Sequence, residues 1–388
     1  MKTEIMIAAG IAAALCCSCD YMKEVEQASV TRSTLSEVAG MLSALPLEQE
    51  HLDEVFDAVD ASAGNGYDEE YTMSNVFLNP GGGVGDEPSK ASSRRYARPL
   101  RELISDYLKA EAMTKAGGDP EGRISRLAVS DCQIFWPYHE RWDGHTMPII
   151  TFDPGNESSV NEGYELVVSD DGSRKVEKVM VDEATAMNRP VWVVNTNDDS
   201  AYTSLEMLRR RDPGYGGDEV IVRPVTKASG DDIRTLVLKD FIMNRNFDTW
   251  FRGASEFFVK VGGVDGFKAK TEDDMRLYQP SVTDFMIVVK RNQKGVTVPF
   301  NAILISEWTD QMEELAFLIT EDDGGTVTNW KASAVVKVNS KSYGIELDIP
   351  YRDKDDIVWR GSLSSKFVEK YAGQVQHFGD VDLTFDFI

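Results

Sequence analysis

Apolar residues first recur at helical spacing. Leu35, Val38, Leu42 and Leu45 fall three or four apart and stop at Pro46, the pattern of one buried face of a helix. Leu52, Val55, Phe56 and Val59 repeat it over 47–63, and Gly64-Asn65-Gly66 closes the run, since glycine most easily takes the left-handed turn that follows a helix. A third, short helix is expected over Asp68–Phe77. A fourth is expected over Arg98–Met113, with Pro99 in its first turn and Leu100, Leu103, Ile104, Tyr107 and Leu108 as its apolar stripe. Residues 33–122 read as a helical unit.

From Arg123 the texture turns to strand. Short runs rich in Val, Ile and aromatics cover Arg126–Phe135, Met147–Phe152, Tyr164–Val168, Lys175–Val181, Val191–Asn195 and Glu219–Pro224, with Gly, Pro, Asn and Asp between them. Asp170-Asp171-Gly172 is a hairpin signal. Ala201–Arg211 reads as a brief helix or loop. The polar stretch Thr226–Asp232 is the linker candidate. Beyond it, strands are expected at Arg234–Phe241, Glu256–Val261, Ser281–Lys290, Asn301–Trp308, Leu315–Glu321, Lys331–Asn339, Tyr343–Ile349 and Val381–Ile388, a spacing typical of a sandwich. The expected class is α+β, mainly β: a helical N-terminal unit, a β-rich domain over 123–226 and a β-sandwich domain over 232–388.

The first residues carry a different message. Lys2 precedes the apolar run Ile5–Leu15, then Cys16-Cys17-Ser18-Cys19-Asp20. A secretory core takes about 7–15 apolar residues and a membrane span about 20, so this run fits a signal peptide, residues 1–18. Leu15 to Cys19 resembles a lipobox, in which a small residue precedes the cysteine that is lipidated. Cys19 fits best, because Ser18 is small and Asp20 opens a polar tether over 19–32. Leu15 stands four residues before Cys19, where that pattern has three, and Cys17 is the second choice. The expectation is a protein held to a membrane by lipid in the cell envelope, as an outer-membrane lipoprotein.

Composition narrows the partners. The chain has 388 residues, 42% of them hydrophobic, and a formal charge of −24. That apolar share is enough for packed cores. The negative field repels phosphate backbones and no basic stripe offsets it, which argues against nucleic acid. With Cys16 and Cys17 removed, only Cys19 and Cys132 remain, and Cys19 carries the lipid, so no disulfide framework is available.

Four chemical readings arise. Gly81-Gly82-Gly83-Val84-Gly85 lacks the Lys-Ser/Thr of a phosphate loop and reads as a structural turn. Asp68-Glu69-Glu70 reads first as acids favouring a helix N-terminus and second as a place for calcium. Cys132 with His139 or His145 gives the alternative of a hydrolase resembling cysteine peptidases, set against a structural buried thiol. Two acidic loops, one with Asp322 and Asp323, the other with Asp353, Asp355 and Asp356, fall at strand ends. Loops at one end of a sandwich converge, so these five carboxylates are the candidate Ca²⁺ site, set against the reading as solvated turn acids.

This C-terminal layout faintly resembles C2-like sandwiches, whose acidic strand-end loops hold calcium. The phrases Asn65–Tyr71, Asn79–Asp86 and Ile319–Gly325 resemble uncharacterised lipoproteins of Gram-negative bacteria, which implies export and anchoring without implying catalysis. The expected function is a non-enzymatic binding or structural module of the envelope, with Trp250, Phe251, Trp330 and Trp359 as candidate contacts.

Overall fold

A computed structural model describes residues 32–88, 95–114, 119–168, 174–197, 199–211 and 234–388. The signal segment, Cys17, Cys19, the tether, the hairpin turn at 170–172, the strand expected at 219–224 and the linker candidate lie outside these residues.

The chain is mainly β with a helical N-terminal part, as its patterning indicates. Helices α1 (Arg32–Ala44) and α2 (Gln49–Gly64) are followed by strand β1 (Glu70–Thr72) and helices α3 (Met73–Leu78), α4 (Leu100–Thr114) and α5 (Pro120–Ala128). Strands β2 (Cys132–Phe135), β3 (Ile149–Phe152), β4 (Val160–Val168), β5 (Arg174–Asp182) and β6 (Val191–Thr196) complete the first sheet, with helix α6 (Glu183–Asn188) before β6 and helix α7 (Leu205–Arg211) after it. The sheet order is β1-β2-β6-β3-β4-β5, antiparallel except for the β3–β6 pair.

Two expectations are corrected here. The helix expected over Asp68–Phe77 is a strand followed by a six-residue helix, with Thr72 accepting the Asn75 amide as its N-cap. The strand expected from Arg126 begins only at Cys132. Before it runs α5, started by Pro120 and capped by the Asp119 carboxylate on the Gly122 amide.

One face of the sheet is covered by the helices. Leu42, Leu52, Val55, Val59, Leu103 and Ile104 pack with Ile134, Trp136, Trp192 and Val194 in one core. Thus the helices and the sheet do not have separate interiors. The glycine loop is packed against α2: a Cβ at Gly83 would meet the Ser62 amide nitrogen at 2.3 Å. Ser62 Oγ also accepts the Val84 amide. The loop is a structural turn.

The second half forms a two-sheet sandwich. Strands β7 (Arg234–Met243), β8 (Ser255–Gly263), β9 (Ser281–Val289), β10 (Val298–Trp308), β11 (Met312–Glu321), β12 (Val327–Val338), β13 (Lys341–Arg352) and β14 (Asp356–Ser364) precede helix α8 (Ser365–Lys370) and strands β15 (Val375–Phe378) and β16 (Val381–Phe387). One sheet has the order β10-β7-β16-β15. The other has β13-β12-β11-β8-β9, with β14 also paired to β11. β11 explains its apolar run by being covered twice. Leu315, Phe317 and Ile319 enter the core between the sheets. Ala316 and Leu318, on the opposite side of the pleat, pack with Trp330, Ala334, Leu347 and Ile349 of the β12–β13 hairpin.

The two halves meet through the β7–β8 loop. Trp250 and Phe251 are buried with Phe135, Ile149, Val191 and Val193 on the sheet face away from the helices. Trp250 donates to the Ser159 carbonyl at 2.9 Å, and the Asn195 amide group reaches the Phe251 carbonyl at 3.0 Å. Trp330 and Trp359 are partly buried against the sandwich cores. The four aromatic residues expected as contacts are thus packing groups, two of them fully interior.

Candidate functional site

β11 runs out at Glu321, beside the start of β8 on one side and the start of β14 on the other. In register, Glu321 faces Phe257 of β8 and Asp356 of β14. The Asp322 amide then donates to the Glu256 carbonyl at 3.0 Å. The period-two pleat that sends Leu315, Phe317 and Ile319 into the core sends Glu321 to the mouth of that core. Asp248 arrives from the β7–β8 loop. One carboxylate oxygen from each of Asp248, Glu256 and Glu321 lies within 4.8 Å of the others.

Next to this trio are Asp322 and Asp355, both buried, and Asp323 and Asp356, both exposed. Asp322 Oδ1 accepts the Gly324 amide and Asp355 Oδ2 accepts the Arg352 amide. No donor reaches Glu321 Oε1, Asp322 Oδ2 or Asp355 Oδ1. The Asp248 loop holds two further buried oxygens without a donor or acceptor partner, Asn246 Oδ1 and Thr249 Oγ1. Positive charge is sparse. Arg252 pairs with Asp248 at 3.2 Å, Arg245 with Asp356 at 3.3 Å, and Arg352 lies 3.9 Å from Asp322.

Titration reflects this crowding. Burial, and then the charge and hydrogen-bonding range of Asp248, push the Glu321 carboxyl far above the ordinary carboxylate range. Burial also raises Asp248. Burial, followed by Asp248 and Asp356, brings Asp323 up to about 6. Asp355 rises through burial and its neighbour Asp322. Asp248 and Glu321, both raised by burial, would be relieved by a shared proton or a cation, because ionised carboxylates are acceptors only.

Of the five acids expected at the rim, the structure brings Asp322, Asp323, Asp355 and Asp356 around Glu321. Asp353 is exposed and turned to another task. Its Oδ1 accepts the Thr326 amide at 2.8 Å and fixes the loop between β11 and β12. Sequence reasoning missed Asp248, Glu256 and Glu321 as members of the cluster. Their signal is a strand that ends in three consecutive acids, and a lone Asp before the aromatic pair Trp250-Phe251.

The hydrolase alternative does not find its geometry. Cys132 is 0% exposed within the helix–sheet core, and burial pushes its thiol well above the usual range. His139 lies beyond the other end of β2, with Asp60, Glu69 and Glu140 as its polar neighbours and Phe56 against its ring. His145 is exposed and bonded within its own turn to Asp143. A nucleophilic thiol needs an adjacent base and an accessible site, and this one is sealed in the core.

Asp68, Glu69 and Glu70 are buried at the junction of the two halves and are not helix-start acids. Asp68 accepts the Ala254 amide at 3.0 Å, and Glu70 accepts from Asn197 at 2.7 Å. Gly253 is fixed by this contact, since a Cβ there would stand 2.2 Å from Asp68 Oδ2. Among the described residues, no helix is long and apolar enough to cross a membrane. Compared with family models, curated proteins and solved structures, the chain gives no match.

Proposed function

We propose that this chain is a lipid-anchored protein of the cell envelope whose C-terminal sandwich binds Ca²⁺ at the mouth of its core. The observation that carries the calcium reading is the trio Asp248, Glu256 and Glu321, buried or nearly so, with oxygens within 4.8 Å of one another. Asp322 and Asp355 stand beside it with buried oxygens that lack donors. An all-oxygen, carboxylate-rich set suits a hard cation. Calcium tolerates six to eight such ligands in irregular geometry, whereas magnesium demands a tight octahedron and keeps its waters. The role proposed for the site is binding and stabilisation.

Thermal unfolding of the full chain at pH 8 with Ca²⁺, Mg²⁺ or chelator tests this. Ca²⁺ is expected to raise the melting temperature, with about 2.7 kcal/mol gained at a hundredfold excess over Kd, and Mg²⁺ to do less. Glu321→Gln is expected to remove the gain. Equal melting temperatures in all three conditions overturn the site.

The anchor rests on the segment Leu15–Asp20. Cys19→Ala is expected to abolish metabolic acyl labelling and release the protein into the soluble fraction. If Cys17→Ala does so instead, Cys17 is the anchor. If neither does, the lipoprotein reading fails. Durable anchoring needs more than one acyl chain, at about 0.8 kcal/mol per buried methylene.

A further inference from the structure

A second polar cluster lies far from the acidic rim in sequence, where the end of α2, the 3₁₀ turn His139–Arg141 and the β9–β10 connection enclose an open cleft of about 540 Å³. Asp60, His139, Glu140 and Lys290 are among its walls. His139 is 3% exposed. Its Nε2 lies 3.5 Å from Asp60 Oδ1, and its Nδ1 lies 3.7 Å from Glu69 Oε1 and 3.9 Å from Glu140 Oε2.

One ligand atom from each of Glu69, His139 and Glu140 lies within 4.8 Å of the others. Nε2 faces Asp60, and the buried Nδ1 has no hydrogen-bond partner. What it faces are two carboxylates. Lys290 Nζ is 2.7 Å from Glu69 Oε1 and offsets that one charge, but it gives nothing to Nδ1. An imidazole nitrogen and two carboxyl groups therefore face one another with no hydrogen bond to Nδ1.

We propose that His139 Nδ1, Glu69 and Glu140 form a binding site for a divalent transition-metal cation of the zinc type. One imidazole nitrogen and two carboxylates suit a borderline cation, with about 2.0–2.2 Å to each ligand atom. The three ligand atoms, within 4.8 Å of one another, have to draw closer to surround it. Asp60 is the orienting partner that fixes the tautomer, the arrangement found behind most metal-binding histidines. The cleft leaves the fourth position open to solvent or to a ligand atom from a partner. The site is independent of the calcium rim, which contains no nitrogen donor.

Calorimetric titration of the full chain with Zn²⁺, with Ca²⁺ held in excess so that the rim is occupied, tests the proposal. One Zn²⁺ per chain is expected. His139→Ala and Glu140→Gln should each weaken it by about tenfold or more, and Asp60→Ala by about tenfold through loss of the tautomer. Glu140 is exposed, so its variant keeps the fold and leaves the calcium response intact. Absence of Zn²⁺ binding, or binding that survives both His139→Ala and Glu140→Gln, overturns the site.

Discussion

Trp136→Ala is expected to lower stability by about 3–5 kcal/mol. Trp136 is fully buried. Its ring lies 5.2 Å from Trp142, 5.8 Å from Trp192 and 6.0 Å from Phe56, centroid to centroid, all at steep angles. Phe56 belongs to α2 and Trp192 to β6, so this one side chain ties the helical layer to the middle of the sheet. Edge-to-face ring pairs add about 0.5–1.5 kcal/mol each beyond area burial, and an alanine leaves a cavity that three large rings cannot easily fill. Trp136→Phe should cost roughly half as much or less. It keeps part of the ring contact and removes an indole N–H that has no acceptor. Urea unfolding followed by far-ultraviolet dichroism reads both variants. A loss under about 1 kcal/mol for Trp136→Ala would mean that the helices and sheet are held by other contacts.

The second large effect is a fall in stability between pH 5 and pH 8 in the metal-free chain. Glu54 contributes a defined share. It is buried under Tyr71 and the start of α4, and its carboxyl is pushed up to about 7 by that burial. The Tyr71 hydroxyl and the Leu100 amide, which both donate to it, and the charge of Arg101 pull the other way, while Glu50 adds to the rise. A carboxyl with a raised folded pKa binds its proton more tightly when folded. Its stabilising contribution is complete below the unfolded value of 4.5 and is lost as pH climbs through about 7. The shift corresponds to about 3 kcal/mol. The rim acts with the same sign, because Glu321, Asp248, Asp323 and Asp355 are all raised. Glu54→Gln should flatten the first share and Ca²⁺ the second. Melting temperatures across pH 5–8 for both conditions separate them. A metal-free chain that is equally stable at pH 5 and pH 8 would contradict the buried-acid account.

Much of the architecture is legible because periodicity survives wherever a face is one-sided. α1, α2 and α4 show clean stripes, and β8, β10, β11 and β12 show apolar runs bounded by turns. α5 was hidden because Ile124 and Leu127 are its main apolar contacts and its other positions are polar or small. β1 is only three residues long and begins with an acid. β14 is half-exposed along much of its length, so its hydrophobic signal is weak. The acidic loops announced a rim, because strand-end acids at one end of a sandwich must gather. What a sequence does not carry is the depth of Glu321, which depends on the pleat of β11, or the approach of Asp248 from a loop over seventy residues earlier. The sequence groups His139 with Cys132 and His145, whereas its neighbours Asp60, Glu69 and Glu140 come from α2, the β1 edge and its own turn.

The pairing of β7 with β16 joins the first and last strands of the sandwich. The Thr235 amide donates to the Ile388 carbonyl at 2.9 Å, and the Ile388 amide returns the bond at 3.0 Å. Until residues 381–387 are available, β7 has β10 as its only ladder neighbour, and Leu383 and Phe385 are missing from the inter-sheet core. The helix–sheet half closes its own ladder over shorter spans, such as Glu70 with Phe135 and Cys132 with Thr196. Its assembly can begin while roughly half the chain is still to come, whereas closing the sandwich requires bridging some 150 residues, a slow, high-contact-order step. The molecule therefore has a built-in order of assembly, with the β7–β16 pairing among its last steps.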